Sequence, residues 1–245
     1  AVSKVKVPLT TIPRFQKEAA EIALQMSQFS VDELERLLRV NAKIAVENYK
    51  RYQAFHAETT PELPALLAYT GIVFKRLNPK DFSAEDFGYA QEHLRLTSFC
   101  YGLLRPLDVI RAYRLEGDVV LPELGNQTLF SYWRSRLTDT FIEDIRSAGG
   151  ILCNLASDEM KSLFDWKRVE SEVRVVTPEF HVWKNGKLAT IVVYTKMSRG
   201  EMTRFILKNK IGNPEELKGF SWEGFEFDES LSDERKLVFI NGMGE

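Results

Sequence analysis

The chain has 245 residues, 44% hydrophobic and 28% charged, with 33 Lys and Arg against 35 Asp and Glu for a formal net charge of −2. That size supports a buried core without a metal or disulfide staple, and the charge balance excludes a histone-like basic protein and an acidic disordered tail. Two cysteines, Cys100 and Cys153, and three scattered histidines, His56, His93 and His181, exclude a disulfide scaffold, a Cys-based zinc module and an HExxH site. No metal and no cofactor is expected. No apolar run approaches the ~18 residues of a membrane span, and no leader is visible, so the expected compartment is the cytoplasm, away from the membrane.

Phe15, Ala19, Ile22, Ala23 and Met26 fall at helical spacing and predict an amphipathic helix over residues 14–28. Ser30 opens the next, with Glu33 three residues on to complete a capping box. Residues 42–55 read as a polar helix, and Pro61 to Tyr69 as a short apolar helix opened by proline. Residues 64–77 then read as helix, tight turn at Gly71, second short helix. In a helix-hairpin-helix such a turn brings backbone N–H groups to a DNA phosphate, and Lys75 and Arg76 would lie on the helix that follows. The plain alternative is a connector between two apolar stretches. Ser83 caps a further helix, with Asp86 at its third position and Phe87, Ala90 and Leu94 facing inward. A turn follows at residues 105–108, and Phe130, Trp133, Leu137, Phe141 and Ile145 mark a long helix ending at Gly149-Gly150.

The pattern then changes to strands. Ile151 to Leu155 is a short apolar strand, and Ser157 caps the next helix. Residues 173–183 and 187–195 are β-rich and flank Asn185-Gly186, which fits a two-residue type I′ hairpin turn. Both faces of residues 188–195 are apolar, which predicts a central strand. Residues 199–210 return to helix, and residues 223–228 and 236–240 are closing strands. With no linker or repeat between the halves, the expected fold is one α+β domain over residues 1–245, with helices packed around a mixed sheet.

Charge is unevenly distributed. Residues 187–210 hold six cations against Glu201 alone, a net of +5; residues 211–245 hold nine acids against three bases, a net of −6. The basic stretch is either a surface that meets phosphate or one side of ordinary salt bridges with the acidic C-terminal stretch. Lys196, Arg199, Arg204 and Lys208 are its candidate phosphate contacts. Arg204 and Lys208 lie one turn apart and share a face, with Met202, Phe205 and Ile206 on the other side. A second cluster, Arg95, Arg105, Arg111 and Arg114, is interleaved with Tyr101 and Tyr113, a pattern that permits stacking on bases. Asp108 and Glu116 stand close enough in sequence to neutralise these arginines instead. Asn154 to Glu159 sits between a strand and a helix, where anions bind; Asp158 and Glu159 would serve there as acid, base or metal ligand, or simply as first-turn acids on the helix dipole.

Several of these segments together resemble one family. His93-Leu94-Arg95-Leu96-Thr97-Ser98 followed by Tyr101-Gly102-Leu103-Leu104-Arg105-Pro106-Leu107-Asp108 is similar to the "LRxLSGLYGxLRPLD" signature of the YaaA peroxide-stress proteins. Tyr113 to Glu116 resembles its "PYRLE", Asn154 to Glu159 its "NLASxE", Lys196 to Ile206 its "KxARGxMxR(Y/F)I", and Leu217 to Phe225 its late "LxGFxxxGY". Two departures accompany the resemblance. The family opens with a strand and an "SPAK"-type motif upstream of the segment matching Pro8 to Thr11, so a strand edge and a site lysine are expected to be missing. Phe99 stands where the family has glycine, which implies a narrower cavity along the helix expected there.

The resemblance implies a cytoplasmic bacterial protein of the hydrogen peroxide response that protects DNA and limits free intracellular iron. It also implies an unusual α+β fold with a positively charged cleft and a helix-hairpin-helix element. Two functions follow. In the first, Gly71, Lys75, Arg76, Lys196, Arg199, Arg204 and Lys208 bind DNA without strong sequence specificity. In the second, an enzyme acts on a nucleotide or other phosphorylated small molecule, with Arg95, Arg105, Arg114, Glu116, Asn154, Ser157, Asp158 and Glu159 as the pocket.

Overall fold

The computed structural model describes residues 3–242. The helices are α1 (Gln16–Met26), α2 (Val31–Leu38), α3 (Ala42–Ala54), α4 (Ala65–Ala68), α5 (Ile72–Leu77), α6 (Ala84–His93), α7 (Leu129–Ser147), α8 (Asp158–Lys161), α9 (Trp166–Glu172) and α10 (Val192–Asn209). The strands are β1 (Leu63–Pro64), β2 (Leu96–Ser98), β3 (Gly102–Leu104), β4 (Val109–Ile110), β5 (Val120–Leu121), β6 (Gln127–Thr128), β7 (Ile151–Cys153), β8 (Arg174–Lys184), β9 (Lys187–Ala189), β10 (Phe225–Phe227) and β11 (Lys236–Asn241). The fold class is α+β. The chain gathers into two compact units built from separated segments. The first takes residues up to Ala68, Leu94–Phe141 and Asp158–Trp166; the second takes Tyr69–His93, Ile142–Ser157 and the chain from Lys167 onward.

The first unit is mainly helical. Helix α1 buries Ala19, Ile22, Ala23 and Met26, the stripe its spacing predicts. Both halves of the Ser30–Glu33 capping box form at the start of α2, and Asn41 caps α3 through the Ile44 N–H. Trp133 of α7 is fully buried, edge-on to Phe15 at 5.6 Å, and donates its indole N–H to the Phe99 carbonyl at 2.8 Å. Strands β2 and β3 pair around residues 99–101, so Phe99 sits in a hairpin turn and not on a helix. Its ring is buried edge-on against Phe130, filling core where a cavity had been expected. Gly102 follows at φ 69°, and a Cβ there would lie 2.7 Å from the Trp133 ring, so only glycine fits. Residues 61–69, expected to be one helix, divide instead. Leu63 and Pro64 pair with β4, and only Ala65–Ala68 is helical, because Pro64 accepts strand geometry at a sheet edge.

The second unit holds the mixed sheet. Strand β8 is central: β11 runs parallel on one side, with Phe239 opposite Phe180, and β7 runs parallel beside residues 174–176. Strand β10 pairs antiparallel with β11. The inward face of β8 carries Val176, Phe180 and Val182 onto Met202 of α10, Leu217, Phe220, Phe225 and Phe239. Strand β9 returns antiparallel along the end of β8 through Asn185 (φ 52°) and Gly186 (φ 71°), the expected two-residue turn.

The expectation of a central strand over 188–195 is overturned. Strand β9 ends at Ala189 and α10 opens at Val192, leaving Val192, Val193 and Tyr194 exposed in its first turn. The frame of α10 is set further along, where Ser198, Gly200, Met202, Thr203 and Leu207 are buried. Burial on that face extends the helix back over residues whose β-branching alone favoured a strand.

Candidate nucleic-acid interface

The candidate DNA contacts converge on α5 and α10, which pack against each other within the second unit. The approach is close at Gly200: a Cβ there would come within 2.3 Å of the Val73 carbonyl oxygen and 2.7 Å of the Arg76 Cβ. This brings Lys75 and Arg76 together with Lys196, Arg199, Arg204 and Lys208 on one helix pair. Gly71 caps α5 in ordinary extended backbone (φ −63°, ψ 168°), and a Cβ there would meet open space. The turn between α4 and α5 therefore does not depend on glycine.

Most of these cations are tethered. Arg204 donates to the Leu77 and Asn78 carbonyls at 3.2 and 2.8 Å and forms a two-pronged pair with Asp81. Lys208 reaches Asp86 at 2.8 Å, and Lys210 reaches the other oxygen of the same carboxylate. Arg204 and Lys208 both lie over the Phe82 ring, at 5.8 and 5.4 Å, so they do share a face. Arg76 pairs with Glu201 at 3.7 Å and stacks 5.3 Å over Trp222. Arg204, Lys208 and Lys210 thus pair with residues 81–86 and not with the acidic C-terminal stretch. Lys75 and Lys196 are exposed and carry no ion-pair partner among the described residues. Glu245, counted in the acidic stretch, lies outside the described residues.

Asp86 is the focus of this network. Its backbone N–H donates to the Ser83 hydroxyl oxygen at 3.1 Å, its carboxylate accepts the Ser83 N–H at 2.9 Å, and it binds two ammonium groups while itself buried. Burial pushes its carboxyl up, but Lys208, Lys210 and the Ser83 N–H outweigh that and hold it well below the usual range. Glu201 moves the other way: burial raises it above the ordinary glutamate value despite Arg76 and Arg204. The sequence pointed to Asp86 as a cap but not as an ion-pair partner, and it passed over Asp81. The signal was the spacing of Asp81 and Asp86 just after the candidate hairpin, but their partners lie more than a hundred residues away.

Three arginines of the second cluster are paired with carboxylates inside the first unit. Arg105 binds Asp108 at 3.0 Å, and that buried carboxylate also accepts the Thr11 hydroxyl and the Arg105 backbone N–H. Arg111 pairs with Glu62 at 2.9 Å and Arg114 with Glu116 at 3.3 Å, while Arg95 donates to the Leu94 carbonyl. Tyr101 is buried and accepts the Arg111 N–H, so it offers no face for a base. Burial pushes Glu116 above the ordinary glutamate value, with Arg114 opposing and the charges of Glu159 and Asp118 reinforcing the rise. Asp158 pairs with Lys161 at 2.8 Å at the exposed start of α8, beside exposed Glu159. The remaining candidates, Asn154 and Ser157, belong to the second unit. Asn154 is buried, donates its N–H to the Val176 carbonyl and accepts the Ala156 N–H, which makes it a turn former at the end of β7.

Burial raises both thiols, Cys153 to about 12 and Cys100 higher, so both are protonated at neutral pH and neither is a reactive thiolate. Among the described residues no three His, Cys, Asp or Glu side chains gather as metal ligands, and no helix is long and apolar enough to cross a membrane.

With the α5–α10 pair and its ordered motifs in place, comparison with known proteins assigns the class. Residues 2–231 match the family described as peroxide stress protein YaaA. The chain is 99% identical over 245 residues to a UPF0246 protein of Bacteroides thetaiotaomicron, covering all of this chain and 95% of that one. It is 78% identical over 244 residues to a UPF0246 protein of Bacteroides fragilis, with the same coverage. It is 35% identical over 233 residues to a UPF0246 protein of Saccharophagus degradans, covering 94% of this chain and 90% of that one. The chain belongs to the YaaA family of peroxide stress proteins.

Proposed function

We propose that this protein is a cytoplasmic DNA-binding component of the bacterial peroxide response, which protects DNA from oxidative damage and limits free intracellular iron. One observation carries the DNA reading: the α5–α10 contact gathers Lys75, Arg76, Lys196, Arg199, Arg204 and Lys208 beside the turn at Gly71, and Lys75 and Lys196 are left without carboxylate partners. The tethered arginine and lysine groups keep the local potential positive, while the two exposed ammonium groups reach phosphate. Among the described residues no recognition helix stands out, so the proposed binding is without strong sequence specificity. The protective and iron-limiting roles follow from the family resemblance. Titration of duplex DNA over a salt series tests the reading: affinity falls steeply between about 50 and 200 mM salt. Absence of duplex binding at low salt rejects it.

A second reading has one specific observation in its favour. The carboxyl of Glu116, raised by burial and half-buried beside the Arg114 guanidinium, places a group suited to acid–base work next to an anion-binding one, as an enzyme acting on a nucleotide or other phosphorylated small molecule requires. Nucleotide-dependent thermal stabilisation that is lost in Glu116→Gln supports it; no stabilisation by any nucleotide removes it.

A further inference from the structure

Exposed apolar surface concentrates at one place in the second unit. Trp183 and Leu188, each 39% exposed, face each other across the β8–β9 hairpin in register, one pair back from the Asn185-Gly186 turn. Val192 and Val193 follow, 64% and 45% exposed, in the first turn of α10. The next cross-strand pair toward the tip is Lys184 and Lys187, so by strand alternation the lysines occupy the ribbon face opposite Trp183 and Leu188. Lys184 and Lys187 are exposed and have no carboxylate partner among the described residues. The ribbon tip is therefore apolar and aromatic on one face and cationic on the other, and its type I′ turn fixes that arrangement.

We propose that this hairpin tip binds unpaired nucleotides, with the Trp183 indole stacking on an exposed base on one face and Lys184 and Lys187 holding phosphates where the strand passes around the tip to the other face. Charge complementarity decides the occupant. Two exposed ammonium groups one cross-strand pair away from an exposed indole, on the other face of the same narrow ribbon, match a flexible polyanion that also carries flat apolar faces, as single-stranded DNA does. The inference rests on the DNA-binding reading and adds a separate element for unpaired bases, using none of the α5–α10 residues. An apolar partner protein needs no lysine pair. An anionic lipid surface also accepts an indole beside lysines but has no flat base for the ring to stack on, and is the competing occupant.

The test compares three probes on the full chain: a thymidine oligonucleotide, a fully paired duplex of equal length, and phosphatidylglycerol vesicles. Trp183→Ala weakens oligonucleotide binding by about tenfold, in the range of loss of one stacked base. Trp183→Phe restores most of it, and duplex affinity is unchanged in both variants. The double change Lys184→Ala with Lys187→Ala lowers the salt dependence of oligonucleotide binding. All substituted positions are exposed at a hairpin end, and an unaltered circular dichroism spectrum verifies the fold. Oligonucleotide binding insensitive to Trp183→Ala overturns the proposal, as does vesicle binding without oligonucleotide binding. If duplex binding persists in either case, only the hairpin inference fails; if neither DNA is bound, the DNA-binding reading fails with it.

Discussion

Gly200 of α10 lies against the Val73 carbonyl of α5 at a distance no side chain accommodates, since a Cβ would sit 2.3 Å from that oxygen. The contact is with backbone, which does not swing aside as a side chain would. Gly200→Ala therefore separates the two helices and disperses the cations they gather. The expected loss is about 3 kcal/mol of unfolding free energy, at the upper end of overpacking costs, read from denaturant midpoints. Duplex affinity falls with it.

Gly71 gives the opposite result. Its φ of −63° suits any residue, and the space around it is open. Gly71→Ala changes stability by no more than about 0.5 kcal/mol, because a slightly poorer helix cap offsets the smaller entropy of the unfolded chain. Chemical denaturation of this variant checks whether the turn depends on glycine.

Asp86 joins α6 to the end of α10. Asp86→Asn keeps the shape but loses the charge that holds Lys208 and Lys210, and costs about 1–3 kcal/mol, the scale of hydrogen bonds to charged groups. The pH dependence has a definite sign. The folded carboxyl lies below the ordinary Asp value of 3.8, so its contribution is full above that value and fades as the pH falls below it. The stability gap between wild type and Asp86→Asn accordingly narrows on acidification and stays constant near neutral pH.

Ser198 is fully buried, and its hydroxyl has no hydrogen-bond partner among the described residues. The corresponding position of the family motif carries alanine. Ser198→Ala removes an unsatisfied polar group at little cost in packing, and is expected to raise stability by about 1 kcal/mol. A Tm of the variant below that of the wild type refutes this account of the site.

Local chemistry was well written in the sequence. The Ser30–Glu33 and Ser83–Asp86 boxes, the Asn185-Gly186 turn, the glycines that end α7 and the closing strands β10 and β11 all follow from residues within a few positions of each other. What was hidden depends on distant partners. The run 188–195 reads as a buried strand by composition, but the burial that extends α10 over it comes from Met202 and Leu207 further along. Arg204 and Lys208 share a face as their spacing requires. Nothing near them in sequence indicates that Asp81 and Asp86 hold that face. Tyr101 and Tyr113 look like a stacking surface when read beside their arginines, yet Tyr101 is buried and Tyr113 hydrogen-bonds Ser98 at 2.6 Å. Trp183, exposed at the hairpin tip, is indistinguishable in sequence from a core tryptophan such as Trp133.

The most direct measurement is the salt dependence of duplex binding by the double variant Lys75→Glu, Lys196→Glu against the wild type. Both residues are exposed and unpaired, so the fold is retained. Each lysine that contacts a phosphate contributes about one unit of slope in log affinity against log salt. The account predicts that the variant binds duplex DNA more weakly for all sequences and with a slope shallower by about two. An unchanged slope and affinity, or a wild type that binds no duplex at low salt, contradicts it.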